Sequence, residues 1–345
     1  MRMQLAPLLV TSLCVGLAAA PPVAAQSSAP VARFAPPADQ PLRYRVEAQR
    51  DWRGEDVPPL RGSTRYDVEL RLGPPGADGS RRMTWQLLDL VQQGSGPAAG
   101  GGAPGVPDIA EAVAAQLRRL PVLVDLFASG AIRGIANWRE VAAAFDRAAR
   151  SLAGSAPASE AMTGAPGAVP RDAAPGPEGE ARAGPEALAA ALGALGEAEA
   201  TDLLLRDLSP LFGWGGLAAD GRMVADLGRL RIAGLGAEAI ARRERSLVQR
   251  PDGSLEGRLS LRPAGQSLAE TVRAASEAAP RRQPQPARRG WSAELRRLAE
   301  ADMAETALVR LDPASGLPLD ARIERTTRAD GLFEQREEVT IRRLP

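Results

Sequence analysis

Carboxylates, arginines, tyrosines and hydroxyls are the side chains with which this chain can do chemistry. Of its 345 residues none is histidine, and all 43 basic residues are arginine. The single cysteine, Cys14, lies in an N-terminal stretch expected to be removed. There is thus no imidazole to act as base or metal ligand, and no lysine for a Schiff base or a Ser-Lys dyad. The expected mature chain has no thiolate to attack a substrate or hold a cluster. What remains for strong acid–base chemistry is a pair of carboxylates, the device glycoside hydrolases use at about 5–10 Å separation. Asp89, Asp125, Asp202, Asp207 and Asp226 each sit beside apolar residues, but helix caps and surface ion pairs account for such positions equally well.

Other constellations are missing their parts. "SGAIRG" has neither the lysine nor the spacing of a phosphate loop, and "GWGG" reads as a turn. No serine occupies a nucleophile elbow. The expectation is a non-catalytic protein with no cofactor and no bound metal. Arg281, Arg282, Arg288 and Arg289 form the densest basic cluster, inside a Pro-rich stretch. With a net charge of +1 and an export signal, that cluster reads as a solvated linker rather than a nucleic-acid surface.

The elements that would position such groups are legible from periodicity. In "LRYRVEAQ", Leu42, Tyr44, Val46 and Ala48 alternate with charged or polar residues. "TRYDVELRL" repeats this with Tyr66, Val68, Leu70 and Leu72, and "RMTWQLLDLV" with Met83, Trp85 and Leu87. A period of two with one apolar and one charged face predicts an antiparallel sheet. Helical spacing follows at Ile109, Val113, Leu117 and Leu120, then in "NWREVAAAFDRAARSL", where Asn137 and Glu140 have capping-box spacing. "PVLVDLFASGAIRGI" between them reads as a hairpin. "EAEATDLLLRDLSPLF" and "SLAETVRAASEAA" read as further helices, and "IARRERSLVQ" with "SLEGRLSLR" as paired strands. Strands at 304–311, 317–327 and 332–343 end the chain.

Residues 1–25 read as a secretory leader: Arg2, an apolar core from Leu5 to Ala20, and Val23-Ala24-Ala25 as a small-residue cleavage site. Retention as an N-terminal anchor is the alternative. No later stretch is apolar for long enough to make a transmembrane helix, so the expectation is an exported protein, periplasmic or extracellular, in a bacterium. Residues 26–41 read as a flexible lead and 42–345 as a single α+β domain. Within it, 153–185 and 280–290 are poor in large apolar residues and read as disordered linkers.

"PLRYRVEAQRDWRG" at one end and "LVRLDPASGLPLDARIERTT" at the other resemble uncharacterised exported bacterial proteins. Their sheet is similar to that of the periplasmic lipoprotein-carrier superfamily. The resemblance implies a strongly curved antiparallel sheet, an open half-barrel built from both chain ends and wrapped around helices from the middle of the chain. It also implies a concave face able to shelter acyl chains. The residues expected to line that face are Leu42, Tyr44, Val46, Tyr66, Val68, Leu70, Trp85, Leu87, Leu319, Ile323, Val339 and Ile341. The partners expected are a lipid or another envelope protein. The competing readings are a self-filled structural or protein-interaction module and a carboxylate-based hydrolase.

Overall fold

The alternation that marks the strands also dictates how they pair, because a slip of one residue would turn every apolar side chain outward. The computed structural model describes residues 29–54, 59–95, 109–154, 196–232, 237–278, 297–330 and 333–345. The leader, the linker at 280–290 and all but the first two residues of the linker at 153–185 lie outside them. Eleven strands form one antiparallel sheet: β1 (Pro41–Gly54), β2 (Leu60–Leu72), β3 (Arg81–Ser95), β4 (Val122–Leu126), β5 (Ile132–Ile135), β6 (Val224–Ile232), β7 (Ala237–Gln249), β8 (Leu255–Pro263), β9 (Asp302–Leu311), β10 (Pro318–Ala329) and β11 (Phe333–Leu344). Their order is β5-β4-β3-β2-β1-β11-β10-β9-β8-β7-β6, an open sheet.

The first and last strands are neighbours. Tyr44 lies opposite Arg343, Val46 opposite Ile341 and Ala48 opposite Val339. The two chain ends therefore complete one sheet, as expected. The middle of the chain contributes more than helices: β4 and β5 extend one flank, and β6 to β8 extend the other.

Among the described residues four helices pack with the sheet: α1 (Ile109–Leu117), α2 (Trp138–Gly154), α3 (Glu197–Leu205) and α4 (Ser267–Ala278). In α2, Val141, Ala144, Phe145 and Ala148 are buried at spacings of three and four, the stripe that an amphipathic helix turns to a core. Asn137 does not serve as its cap. Its Oδ1 accepts the Leu123 amide at 2.8 Å and its Nδ2 donates to the Pro121 carbonyl at 2.9 Å. The side chain instead satisfies backbone groups where β4 begins, which would otherwise lose partners on burial.

Residues 29–40, expected as part of a flexible lead, are docked along the molecule. The Ala32 amide donates to the Leu217 carbonyl at 2.8 Å, Ala35 to Ser315 at 2.9 Å and Asp39 to Leu72 at 2.7 Å. Phe34 meets Phe212 edge to face, ring centres 6.3 Å apart. Three backbone hydrogen bonds and one aromatic anchor outweigh what the Pro/Ala composition alone suggests.

Of the twelve residues expected to line the concave face, eleven belong to or pack against one hydrophobic cluster with Leu117, Phe145, Leu205, Leu208 and Leu211. They are the packed interior of the half-barrel. Leu319 departs from the set: it is half-buried, at a register shift between Pro318 and Asp320 where the strand bulges. Tyr44 spans the core and donates its hydroxyl to the Pro318 carbonyl at 2.9 Å. Among the described residues, by contrast, the buried indole N–H of Trp85 has no acceptor. An unsatisfied buried donor costs about 1–3 kcal/mol, so Trp85→Phe removes a penalty along with some packing. The expected result is a denaturant midpoint corresponding to within about 1 kcal/mol of the parent, against the roughly 3 kcal/mol or more expected for Trp85→Ala.

Candidate functional site

The two edges of the sheet come back toward each other. A cleft of about 620 Å³ is lined on one side by Ile132 to Gly134 of edge strand β5, and on the other by Gly228 to Leu230 of edge strand β6. In a closed barrel these strands would pair; here the seam stays open. Leu259 and Leu261 of β8, Met303 of β9 and Thr327 of β10 form the floor. The stretch from α3 through a 3-10 turn at Ser209–Leu211 to Trp214 closes it over with Leu205, Pro210 and Phe212.

Local rules explain the roof. Pro210 sits in the first turn of the 3-10 segment, where its missing N–H costs nothing. Trp214 is held by its indole N–H on the Pro210 carbonyl at 3.0 Å. Its ring lies against Gly257 of β8, where a β-carbon would come within 2.6 Å of the indole. Gly257 is therefore required by close approach rather than by backbone angle.

The cleft is amphipathic. Beside its apolar floor stand six arginines (Arg133, Arg206, Arg229, Arg243, Arg245 and Arg325) and three glutamates (Glu197, Glu238 and Glu305). Arg243 and Arg245 both bind Asp226: Arg243 through two bonds of 2.6 and 2.8 Å, Arg245 through one of 2.9 Å. Arg245 also donates to the Gly213 carbonyl, tying β7 to the roof. Burial, then the like charge of Arg243, lowers the Arg245 pKa, whereas hydrogen bonding from Arg243 holds the Asp226 carboxyl below its usual range.

An ionic row, buried at Arg325 and Glu337 but open to solvent at Arg50, supplies Glu305 and Arg325 to the cleft wall. Glu305 on β9, Arg325 on β10, Glu337 on β11 and Arg50 on β1 face one another in direct register across four adjacent strands. Arg325 binds Glu305 at 2.8 Å, Glu337 at 3.1 Å and Asp207 at 2.6 Å, and donates to the Arg206 carbonyl at 3.0 Å. Glu337 also binds Arg50, and Arg206 approaches it to 3.4 Å. The Tyr66 hydroxyl donates to Asp207 at 3.0 Å. Burial alone would lower the Arg325 pKa, but Glu305, Asp207 and Glu337 together raise it. Burial would likewise raise the Glu337 pKa; Arg206, Arg50 and Arg325 instead hold it below the usual carboxylate range. A general acid needs its carboxyl shifted the other way. Three cations and three anions balance here, so the row is a clamp joining the α3 terminus to the sheet.

None of the twelve residues expected to line a ligand site borders the cleft. They and the cleft share the concave face but occupy different parts of it. Two of the acidic residues singled out in the sequence do stand here: Asp207 in the row, Asp226 between the paired arginines. Asp125 pairs with Arg82 on the surface at 3.0 Å, Asp89 binds the neighbouring amide of Leu90 at 2.9 Å, and the Asp202 side chain lies outside the described residues. The row itself was open to discovery in the strands. Arg50, Glu305, Arg325 and Glu337 each continue the inward phase set by Ala48, Ala307, Ile323 and Val339, so each is a charge where alternation calls for an apolar residue.

No family model and no curated protein matches this sequence. Among solved structures, one described as showing lipid–protein interactions in lipovitellin is similar over 90% of this chain, with 7% identity and a TM-score of 0.45. This chain spans 25% of that one's length. An outer membrane channel from Pseudomonas putida F1 is similar over 90% of this chain and 98% of its own, with 9% identity and a TM-score of 0.23. Both are similar to this chain in having a large antiparallel sheet.

Proposed function

We propose that the protein is a non-catalytic binding protein of the bacterial envelope that holds an acyl chain in the seam between its two edge strands. The observation that carries this reading is the cleft itself. Its volume of about 620 Å³ falls within the range of about 300–1,000 Å³ in which small-molecule sites lie. Its apolar lining of Leu230, Leu259, Leu261 and Met303 carries no aromatic ring, which suits a flexible chain better than a planar ring. Each buried methylene contributes about 0.8 kcal/mol. A ten-carbon chain therefore gains on the order of 7 kcal/mol by transfer, enough for binding without catalytic groups once association costs are met.

Trp214 in the cleft wall is the reporter. Titration with decanol is expected to shift its emission saturably, and the shift is expected to vanish in Trp214→Phe. Protein purified from its own envelope should also carry a lipid mass in native mass spectrometry. Protein that is repeatedly empty and gives no response to decanol would rule the reading out.

A further inference from the structure

The cleft has a chemical polarity that an acyl chain alone leaves unused. At its β6–β7 end two guanidiniums share a single carboxylate, Asp226. Arg243 spends one face of its fork on Asp226, and its side chain remains about one-third exposed at 34%. Its stem rises beside Gly228, where a β-carbon would lie 3.3 Å from the Arg243 Cβ and 3.0 Å from Leu261 Cδ2. The aliphatic stem of Arg243 thus lies beside the apolar floor at Leu261. Arg245 is more enclosed, at 17% exposure, and its buried Nε–H has no acceptor among the described residues. Two cations against one anion leave an excess positive charge at a site with reduced access to water, and arginine forks match carboxylate and phosphate oxygens.

Two of the other arginines at the cleft are better balanced. Arg229 binds Glu238 at 3.0 Å, and Arg325 is surrounded by three carboxylates. Arg133 lies over the Phe127 ring, 5.8 Å from its centre. In the ionic row three guanidiniums meet three carboxylates, whereas at Arg243 and Arg245 two guanidiniums meet one.

We infer that the cleft's ligand carries an anionic group, a carboxylate or a phosphate, seated on the Arg243–Arg245 pair beside Asp226 with its chain over Leu259 and Leu261. This rests on the cleft being the acyl-chain site. Asp226 then acts as a regulator of the site: it holds the two arginines together in the empty protein and competes with the incoming anion.

The test compares four ten-carbon amphiphiles on the full chain at pH 8 and low salt: decanoate, decyl phosphate, decanol and decyltrimethylammonium. Inorganic phosphate alone serves as a fifth probe. The anionic pair is expected to bind roughly tenfold tighter than decanol, the cationic one weaker than decanol, and added salt should erase the difference. Asp226→Asn is expected to raise the ratio of decanoate to decanol affinity several-fold, the opposite of what a merely structural role would produce. Arg243→Gln should bring decanoate close to decanol. Equal binding of all four amphiphiles would overturn the anion site and leave the acyl-chain reading standing. Binding of none would overturn both. Inorganic phosphate binding as tightly as decyl phosphate would keep the anion site and overturn the acyl chain as its source.

Discussion

Arg325→Met is expected to lower stability by about 3–5 kcal/mol, the range for removing one partner of a buried ion pair. In a chain of this size that is a fall in melting temperature on the order of 10 °C. The reason is the asymmetry of burial. Arg325 is 6% exposed and Glu337 1%, and the arginine is shared by Glu305, Glu337 and Asp207. Without it three carboxylates face only Arg50 and Arg206. Arg325→Lys should recover only part of the loss, because a compact ammonium cannot reproduce a planar fork that meets three carboxylates and a carbonyl.

The pH dependence separates this mechanism from lost packing. In the parent, the folded-state pKa of Glu337 lies below its ordinary value. Its contribution is present above the unfolded pKa of about 4.3 and disappears as pH falls through the lower folded value. In Arg325→Met the shift reverses: an under-compensated buried carboxylate is raised, so its cost is present at neutral pH and relieved by protonation. The gap between the two proteins' urea midpoints should therefore be widest near pH 7 and narrow as pH falls toward about 4. A gap independent of pH would assign the loss to packing.

How much of this could be read beforehand depends on which residues carry the period. The strands of the two chain ends alternate cleanly, so their pairing follows from having to hide their edges and bury one face. β6 was not legible. Its inward positions hold Asp226 and Gly228 before Leu230, while Leu227 points out and is 70% exposed. An edge strand lining a cleft has no packed layer to enforce apolar residues on its inner face, so the period is lost where the site is. The same holds for the ionic row. Charges in the inward phase of four strands are visible one at a time, but that they lie in register is a property of the β1–β11 and β9–β10–β11 pairings. The cleft is likewise a product of curvature, which brings β5 and β6 together although they lie at opposite ends of the strand order. Periodicity says nothing about that distance. Expectation and structure part at the twelve apolar residues for a related reason: alternation identifies the buried face, but whether helices or a ligand cover each part of it depends on where the helices land.

Gly316→Ala is expected to cost roughly 3 kcal/mol, more than backbone conformation alone explains. Gly316 closes the turn between β9 and β10, its amide donating to the Asp312 carbonyl at 2.8 Å, with φ at +68°. An L-residue in that left-handed region costs roughly 1–2 kcal/mol. The larger part comes from the docked N-terminal lead: a β-carbon on Gly316 would lie 2.0 Å from the Arg33 carbonyl oxygen. Two more glycines complete the cradle. A β-carbon on Gly130, in the β4–β5 turn, would meet the Phe34 ring at 2.8 Å, and one on Gly215 would meet Phe34 Cβ at 3.2 Å. Three loops far apart in sequence thus omit side chains where Arg33 and Phe34 pass. Gly253 provides the comparison, because its φ is +82° but nothing lies within 4 Å of a β-carbon there. Gly253→Ala should show the conformational cost alone, and Gly253→Asn less, since asparagine tolerates left-handed backbone. At Gly316 asparagine should be no better than alanine, because both bring a β-carbon. Equal thermal midpoints for Gly316→Asn and Gly253→Asn would show that the lead yields freely. If the lead is displaced, Phe34 leaves Phe212 in the cleft wall, so Gly316→Ala should weaken decanol binding at a residue that does not touch the cleft.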